Sequence, residues 1–471
     1  MPDAAVIDER LEAVLPPGSL YAVGGRVRDE VRSLLDGVPR PAKDLDYVVT
    51  GVGLDDLVAR LASLGRAELV GASFAVVKCT IEGQTVDVAL PRRERSTGVG
   101  HRDFAVESGP GVSLEDDLGR RDFRMNMLAR SIGSGALVDP YLGEADIVAR
   151  RIDILKPEAF EEDPLRLLRA CQFAARFGFA ISPETLEAMR AAAPLVETVS
   201  PERVRDELIK LIELAPKPSV GIGLMHDTGI LSHVLPELSE GVGVEQNVYH
   251  AYDVFGHGLA TVDATEPGDL LLRLSALLHD VGKPRTKDGP HFYRHETVGA
   301  DMVRDLLVRL RFPGEIVDRA ERLVRHHMYQ ADPASSPATI RRFINRVGVD
   351  NLALQFGIRA ADIVGSGLPK RGPENELFEA RVWEALNERP PLSVKDLAVN
   401  GGDAIAALVA AGRLPIGSRG GPQVGALLRA VLEAVLDDPS LGREEQLAVI
   451  ASEAAHNGEL SGTRSNVSQE T

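Results

Sequence analysis

The spacing of apolar residues divides the chain into an N-terminal part of mixed elements and a longer helical part. Short apolar runs predict strands at residues 20–23, 47–49, 74–81, 85–90 and 147–155. Apolar positions three or four residues apart predict helices within residues 1–19, after Gly25, and at 54–64 and 114–128. Helical spacing dominates from residue 160 onward. The pattern therefore predicts a multidomain α+β protein, in which a head with a mixed sheet and helices precedes all-α domains.

Breaks in this pattern predict four folded domains and a polar tail. Turn-forming residues at 216–218, 241–243 and 387–391 mark the breaks within the helical part, and residues 371–390 have the charged composition of a linker. The predicted units are a head at 1–150, a helical neck and body at 151–242, a third helical domain at 243–370 and a helical C-terminal domain at 371–455, which is a candidate for RNA binding. Residues 456–471 are small and polar, which is typical of disorder.

Composition limits the setting in which the protein works. Cys79 and Cys171 lie far apart without metal-ligand spacing, which predicts no disulfide framework and is typical of a reducing cytosol. The N-terminus is acidic and lacks a signal-peptide pattern, and no apolar run approaches the roughly 18–20 residues of a membrane span. We therefore expect a cytoplasmic protein with no membrane partner.

The net charge of −17 disfavours a broad nucleic-acid-binding face, because phosphate contacts need lysine and arginine. Arginines nevertheless cluster locally, at 92–95 and at 120–124. Net charge governs solubility and long-range steering rather than one cleft. The sequence therefore predicts a small, specific footprint for any nucleic-acid partner.

The first candidate site lies between the first strand and the helix that follows it. Gly24 and Gly25 end the apolar run 20–23 and open the helical pattern of Val31, Leu34 and Leu35. Two glycines let the backbone approach a ligand closely, and the free N–H groups of a helix start attract a phosphate. A plain turn is the alternative interpretation of such a pair.

The second candidate site is Asp44-Leu45-Asp46, at the head of the next apolar run. Residues i and i+2 of a strand lie on one face, so Asp44 and Asp46 should lie close together. Two neighbouring carboxylates repel unless a cation lies between them, and Mg²⁺ favours oxygen ligands together with substrate phosphates. The sequence therefore predicts a magnesium site here.

The order GGxxRD and then DxD resembles the polymerase-β-type nucleotidyltransferases, and in detail the bacterial CCA-adding tRNA nucleotidyltransferases and their poly(A) polymerase relatives. The resemblance implies a nucleotidyltransferase head in which Arg28 contacts the triphosphate together with Arg120 or Arg121 of the RRDF motif. It also implies that Asp87, on a neighbouring predicted strand, completes a catalytic carboxylate triad. A water-facing strand position is the alternative for Asp87.

Two further segments of the head match this family with departures. Residues 92–108 are polar and aperiodic, which predicts a mobile loop, and they resemble the family's flexible ERxSGxGYxxF element with His101 in place of tyrosine. The family uses this element in the final addition step. Met125 and Met127 replace threonine and alanine in the RRDFxxNAL motif, which leaves the details of that pocket open.

A third candidate site begins the helical part. Asp163 and Pro164 predict a helix start, and Asp163, Arg166 and Arg169 recur every three residues along one face. The family's EDxxR helix implies that these residues read the incoming base, so that CTP and ATP are selected without a template strand. Capping and a salt-bridged surface are the alternative.

Most of the eleven histidines lie in the third domain. His257 precedes the adjacent pair His279-Asp280, and Asp362 follows in helical sequence. This order resembles the HD metal-dependent phosphohydrolases and implies these four residues as ligands, with His295 and His326 as weaker candidates. Imidazole and carboxylate suit a divalent transition metal whose bound water attacks a phosphoester, but the metal's identity stays open.

Together these resemblances imply addition of CCA to tRNA 3′ ends from CTP and ATP, with Mg²⁺ in the head and a possible HD phosphohydrolase activity. The nearest alternative is a poly(A) polymerase or an enzyme that adds only CC or only A. An HD phosphohydrolase with a nucleotide-sensing head and a regulatory protein with degenerate sites also stay open. The sequence leaves the oligomeric state and the role of the C-terminal extension open.

Overall fold

The computed structural model describes residues 4–41, 44–70, 75–96, 104–369 and 372–456. Three sequence predictions concern residues outside these ranges. They are Phe74, the first residue of the predicted strand at 74–81, the position of His101, and the tail beyond His456.

The N-terminal part is built on a mixed seven-stranded sheet with the order β3-β4-β5-β2-β1-β8-β9 and a separate β6-β7 hairpin. The strands are β1 Leu20–Val23, β2 Asp46–Val49, β3 Arg66–Val70, β4 Val76–Ile81, β5 Gln84–Ala89, β6 Arg92–Ser96, β7 Phe104–Ser108, β8 Ala129–Ser131 and β9 Leu137–Val138. The helices are α1 Ala4–Val14, α2 Gly25–Asp36, α3 Leu54–Ala62, α4 Leu114–Gly119 and α5 Gly143–Val148, with a 3-10 turn at Arg124–Asn126.

The centre of this sheet positions the first candidate sites. β2 runs antiparallel to β1 and parallel to β5, and its first residue, Asp46, lies opposite Asp87. Gly24 joins β1 to α2 with φ of +70°, in the left-handed region that favours glycine. A Cβ at Gly24 would also approach Arg121 Nη1 to 2.9 Å, so a larger residue would displace that guanidinium.

The rest of the chain is mostly helical. Its first part contains β10 Arg151–Ile152, α6 Ala159–Glu162, α7 Leu165–Phe177, β11 Ala180–Ile181, α8 Pro183–Ala192, α9 Pro201–Leu214, α10 Pro218–Asp227, α11 Leu231–Val234 and α12 Pro236–Ser239. The middle contains α13 Val254–Asp263, α14 Leu270–Leu278, β12 Lys287–Asp288, β13 His291–Phe292, α15 His295–Arg309 and α16 Gly314–Arg325. The last part contains α17 Pro337–Val347, α18 Leu352–Gly365, α19 Glu374–Asn387, α20 Gly401–Ala410, α21 Pro422–Asp437 and α22 Arg443–His456. Single 3-10 turns lie at Ala193–Thr198, Pro284–Thr286, Val349–Asn351 and Val394–Asp396.

One hydrophobic core runs from α1 through the sheet and the first helical layers to Ile358. α7 packs on α9, α9 packs on α14, and α14 packs on α13, α16 and α18. Arg273 on α14 is fully buried and donates to the backbone oxygens of Glu213 and Ala215 at the end of α9, at 3.1 and 2.7 Å. A buried cation at a helix C-terminus satisfies carbonyls that otherwise lack partners, so Arg273 ties α9 to α14.

The predicted fold class is confirmed, since a mixed sheet with helices precedes helical domains. In the described part of the chain no helix combines the length and the apolar character that a membrane crossing requires.

The predicted helix at 114–128 is wrong beyond Gly119. A Cβ at Gly119 would lie 2.6 Å from Tyr141 Oη, so the chain passes close to that ring and turns. Arg124 then donates to Asp146 and Asp153 at 2.8 and 2.6 Å, away from Arg120. The predicted helix at 114–128 would place Arg120 and Arg124, four residues apart, on one face, but the two arginines do not share a helix.

The predicted strand at 147–155 is also wrong, because Ile147 lies in α5 and only Arg151–Ile152 is extended. The Asp139 carboxylate accepts from the N–H groups of Gly143 and Glu144, at 2.7 and 2.9 Å, and so fixes the start of α5. The short strand β10 pairs in parallel with β11 rather than with the head sheet.

Two segments predicted to be irregular are regular. Residues 92–108 form the β6-β7 hairpin, in which Arg92 pairs with Ser108 and the tip lies outside the described residues. The predicted linker at 371–390 contains α19, which buries Phe378 and Val382 against Phe343 and Phe356. Only these two residues of α19 are buried and most of the others are charged or polar, so the composition of the segment resembled that of a linker.

Candidate active sites

A cleft of about 480 Å³ between the head and α7 brings the predicted nucleotide-binding residues together. Its lining includes Gly24, Gly25, Arg28, Asp44, Asp46, Arg120, Arg121, Asp163, Arg166 and Arg169. Asp122 and Asn126, which the sequence analysis did not single out as site residues, also line it. Segments far apart in the chain therefore meet around one polar cavity.

Arg28 is held in place from three sides. Its Nη1 donates to Asn126 Oδ1 at 2.9 Å, its Nη2 donates to Asp29 Oδ2 at 2.9 Å, and its guanidinium lies 4.6 Å from the Phe177 ring centroid. A guanidinium over an aromatic face gains cation–π attraction. Arg28 is thus a fixed cation one turn after the glycine pair.

The acidic residues lie at the start of the central strand. Asp46 opens β2, Asp44 lies just outside the strand, and the intervening Leu45 is buried. Burial raises the pKa of Asp46, and the negative charges of Asp87 and Asp44 add to that rise, although Arg121 opposes it. A cation at this position would relieve the repulsion, so the donor set fits a hard divalent metal.

Asp87 differs from the other two carboxylates. It pairs in register with Asp46 on β5 but does not line the cleft, and Lys78 Nζ lies 3.8 Å from its Oδ1. The structure therefore places Asp87 beside the acidic pair rather than in the cavity wall.

The two arginines of the RRDF motif share one buried carboxylate. Asp117 has no exposed surface and accepts from Arg120 Nη2 at 2.8 Å and from Arg121 Nη2 at 3.2 Å. Burial alone would raise the pKa of Asp117, but the charges of Arg120 and Arg121 lower it below its ordinary value. Asp117 therefore orients both guanidinium groups beside the cleft.

The residues of α7 are anchored to other elements. Asp163 accepts from the Leu165 N–H at 3.2 Å and from Arg203 Nη2 at 2.9 Å. Arg166 donates to the backbone oxygens of Arg120 and Ala159, at 2.6 and 3.1 Å. Capping therefore accounts for the hydrogen bond that Asp163 accepts from the Leu165 N–H. The bond from Arg166 to the Arg120 carbonyl ties α7 to the head.

Asp122 and Asn126 join the two halves of the cleft. Asp122 Oδ1 accepts from Asn126 Nδ2 at 2.8 Å, and Asp122 Oδ2 accepts from Arg169 Nε at 2.8 Å. Burial would raise the pKa of Asp122, but Arg169 and the hydrogen bond from Asn126 lower it overall. Both residues belong to the RRDFxxN motif at 120–126, and their place in that motif was the sequence signal that could have identified them.

A second polar cluster lies among α13, α14 and α18. His257 Nε2 lies 3.2 Å from His279 Nε2 and 3.1 Å from Asp362 Oδ1, and His279 Nε2 lies 3.1 Å from Asp280 Oδ2. His257, His279 and Asp280 are buried. All four predicted HD residues therefore come together, with side-chain atoms spaced as metal ligands can be.

The opposite side of Asp280 carries two further histidines. Asp280 Oδ1 lies 3.4 Å from His295 Nε2 and 3.5 Å from His327 Nε2, and these two nitrogens lie 3.3 Å apart. His326 lines a different cleft, so the structure brings His327 rather than His326 to the cluster. Adjacent residues at a helix end point in different directions, which spacing alone could not resolve.

Protonation in this cluster follows burial and charge. Burial would raise the pKa of Asp280, but His279 and Lys283 hold it well below its ordinary value. Burial lowers the pKa of His250 to about 4, and Lys283 contributes to that fall. Ionised carboxylates and neutral imidazoles are the forms that bind metal.

Three family descriptions match successive parts of the chain. "Poly A polymerase head domain" matches residues 20–153, "Probable RNA and SrmB- binding site of polymerase A" matches residues 178–241, and "HD domain" matches residues 247–365. Nucleotidyltransferase heads and HD domains depend on metals, and the histidine–aspartate cluster holds groups of ligand atoms close enough together for a metal ion.

Solved structures share the architecture. The chain is similar to the CCA-adding enzyme of Bacillus stearothermophilus in complex with CTP, with a TM-score of 0.63, 24% identity and 96% of each chain covered. It is also similar to the Thermotoga maritima CCA-adding enzyme complexed with tRNA, with a TM-score of 0.53, 19% identity and 96% of each chain covered. At these identities the likeness establishes the fold.

Curated relatives are more similar in sequence. The multifunctional CCA protein of Azoarcus sp. (strain BH72) is 37% identical over 380 residues, covering 78% of this chain and 87% of the relative. That of Stenotrophomonas maltophilia (strain K279a) is 39% identical over 321 residues, covering 66% of this chain and 75% of the relative. With the acidic pair, the EDxxR helix and the histidine cluster in place, the chain belongs to the multifunctional CCA proteins, bacterial CCA-adding nucleotidyltransferases that carry an HD domain.

Proposed function

We propose that this protein adds CCA to the 3′ ends of tRNA from CTP and ATP. The observation that carries the proposal is the single cleft in which the glycine pair, Asp44 and Asp46 meet Asp163 and Arg166. One cavity thus combines a candidate phosphate site, a carboxylate pair, a hydrogen-bond acceptor on Asp163 and hydrogen-bond donors on Arg166. The names of the relatives and of the solved complexes support the same activity.

The chain's own residues supply positioning and charge. The N–H groups at the start of α2 and the side chains of Arg28 and Arg121 hold the triphosphate. The buried carboxylate of Asp117 keeps Arg120 and Arg121 oriented before the nucleotide arrives. Such preorganised cations stabilise the charge that develops as pyrophosphate leaves.

Asp163 and Arg166 read the base in this proposal. A carboxylate accepts hydrogen bonds and a guanidinium donates them, so the pair can match the edge of cytosine or adenine. Arg203 fixes the orientation of Asp163, and two backbone carbonyls fix that of Arg166. Base choice then depends on how these two side chains are held.

We propose Mg²⁺ as the metal of the head, held by Asp44 and Asp46 and assisted by Asp87. A metal held by these carboxylates would supply activation of the RNA 3′-hydroxyl and charge neutralisation of the leaving group. Burial of Asp46 beside two other carboxylates supports this assignment, because a bound cation would offset the repulsion among the three negative charges.

For the HD cluster we propose a divalent transition metal on His257, His279, Asp280 and Asp362. The two histidines on the other oxygen of Asp280, His295 and His327, offer a second position that shares this carboxylate. Imidazole-rich sites of this kind suit Zn, Ni, Co or Fe, and they support hydrolysis of phosphoesters. A phosphohydrolase activity is therefore the second proposed function.

Two smaller proposals concern the division into domains and the cellular location. The domain division at residues 150, 242 and 370 is supported by the three family matches, which end at residues 153, 241 and 365. A cytoplasmic location is supported by two unpaired, buried cysteines.

The experiment that tests the first function supplies each nucleotide separately to a tRNA transcript that lacks CCA, with Mg²⁺. We expect CTP alone to add two nucleotides and ATP alone to add none. Long ladders with ATP alone would instead establish a poly(A) polymerase, the alternative that the match of residues 178–241 keeps in view. No extension with any nucleotide would refute the proposal.

A further inference from the structure

A strongly acidic protein can dock RNA only where cations are not already neutralised. Around α15 and α16 most arginines are neutralised: Arg304 pairs with Asp318 and Glu321, and Arg325 pairs with Asp301 and Glu321. Such pairs offer little net charge to an incoming phosphate.

Two arginines of this region differ. Arg322 on α16 and Arg346 on α17 are both exposed. Across the described ranges no carboxylate oxygen lies within 4.0 Å of either guanidinium. Both cations are therefore available to an anion from solution.

The two arginines line the same cleft. It has a volume of about 380 Å³ and lies between α16 and α17, with His326 in its wall. Gly348 follows α17 with φ of +86°, and a Cβ there would approach Arg322 Nη1 to 3.2 Å. The glycine thus leaves room for the guanidinium beside the cleft.

The charge within the cleft is positive. Its lining carries four arginines and two carboxylates, Asp318 and Glu321, and these two carboxylates pair with Arg304 and Arg325. The side chain of His326 also lines the cleft, and an imidazole N–H can donate to an anion. Two free guanidinium groups beside such a donor make a site for phosphate oxygens.

The cleft is separate from the nucleotide cavity. The two cavities share no lining residue, and α9 and α14 connect α7 to α16. A nucleotide in the first cavity therefore does not fill the second, whereas a folded RNA extends well beyond one nucleotide.

We propose that Arg322 and Arg346 bind backbone phosphates of the tRNA at a distance from its 3′ end. This inference rests on the proposed CCA addition, because it names a second contact for the same substrate. Phosphate contacts fix the position of a nucleic acid without reading its base sequence, so the cleft would position tRNAs of different sequence in the same way.

The test compares Arg322→Gln/Arg346→Gln with the control Arg285→Gln/Arg309→Gln in the full-length protein. The control removes two charges that already pair with Glu240 and Glu237. Binding of tRNA lacking CCA is measured over a range of salt concentrations, beside CTP binding and extension of a short acceptor-stem RNA. Inorganic phosphate alone is the free-anion probe, read as a shift of the melting temperature.

We expect the first double variant to bind tRNA about tenfold more weakly, with the slope of log K against log salt smaller by about 1–2. The control, CTP binding and acceptor-stem extension should not change. An unchanged tRNA affinity and salt slope would overturn the inference, as would equal losses in the control. A phosphate-induced shift that needs both arginines, without any effect on tRNA, would also overturn it. If the wild-type protein fails to extend tRNA at all, the proposed function fails instead.

Discussion

Arg169 donates from Nε and Nη2 to Oδ2 of Asp122, at 2.8 and 2.6 Å, and so joins helix α7 to the head. Asp122 also accepts from Asn126, and Asn126 accepts from Arg28. One chain of hydrogen bonds therefore runs across the cleft, from Arg28 beside the glycine pair to Arg169 on α7.

This relationship predicts a pH-dependent contribution of Asp122 to stability. Its folded pKa is lowered, so its stabilisation is complete above the unfolded value of about 3.9 and is lost as pH falls through the folded pKa. Asp122→Asn should therefore lower the free energy of unfolding by about 2–4 kcal/mol at pH 7, and by less below pH 4. Chemical denaturation at both pH values measures this.

The control for that prediction is Asp56→Asn, which removes an exposed carboxylate paired with Arg60. Its effect should stay within about 0.5 kcal/mol. An effect of Asp122→Asn that is the same at both pH values would contradict the ionic explanation.

Loss of Asp46 should abolish nucleotide transfer. Asp46→Asn keeps the size of the side chain but removes the charge that a metal needs, so the rate should fall at least about 10²-fold. Asp55→Asn, on the exposed face of α3, is the matched control and should retain activity. The measurement is the rate of tRNA extension at saturating CTP for each variant. Full activity of Asp46→Asn would disprove the metal assignment.

Arg166 should control base selectivity. Arg166→Lys keeps a positive charge but loses the planar fork that bonds to two backbone carbonyls. We expect activity with CTP and ATP to fall and discrimination against UTP to drop about tenfold. Arg190→Lys, on the exposed face of α8, provides the reference. Unchanged discrimination ratios would show that base choice lies elsewhere.

His279 should be needed for hydrolysis but not for nucleotide addition. His279→Ala removes one buried imidazole from the cluster around Asp280, so metal-dependent phosphatase or phosphodiesterase activity should disappear. His233→Ala, a surface histidine paired with Glu197, should keep both activities. If His279→Ala also stops CCA addition, the two sites are coupled rather than independent.

Local sequence signals predicted much of the candidate site. The glycine pair, Asp44-Leu45-Asp46 and Asp163 with Arg166 each follow from short spacing rules, and the structure places all of them in one cleft. Spacing could not reveal that Asp117 and Asp122 are buried partners of arginines, because that depends on which loops meet in three dimensions.

The failures of sequence analysis have local physical causes. The apolar spacing at 114–128 continues past Gly119, but the helix ends there, where the chain passes close to Tyr141. The apolar run at 147–155 predicted a strand, but Asp139 caps α5 and the run begins inside that helix. His327 was missed in favour of His326, since adjacent positions at a helix end differ in direction but not in type.

The most direct test of the central claim is the length of the product made from CTP and ATP together. A purified sample is incubated with tRNA lacking CCA and Mg²⁺, and products are resolved at single-nucleotide steps. We predict growth by three nucleotides that then stops, with Asp46→Asn inactive beside it. Continued growth beyond three nucleotides, or no growth at all, would contradict CCA addition.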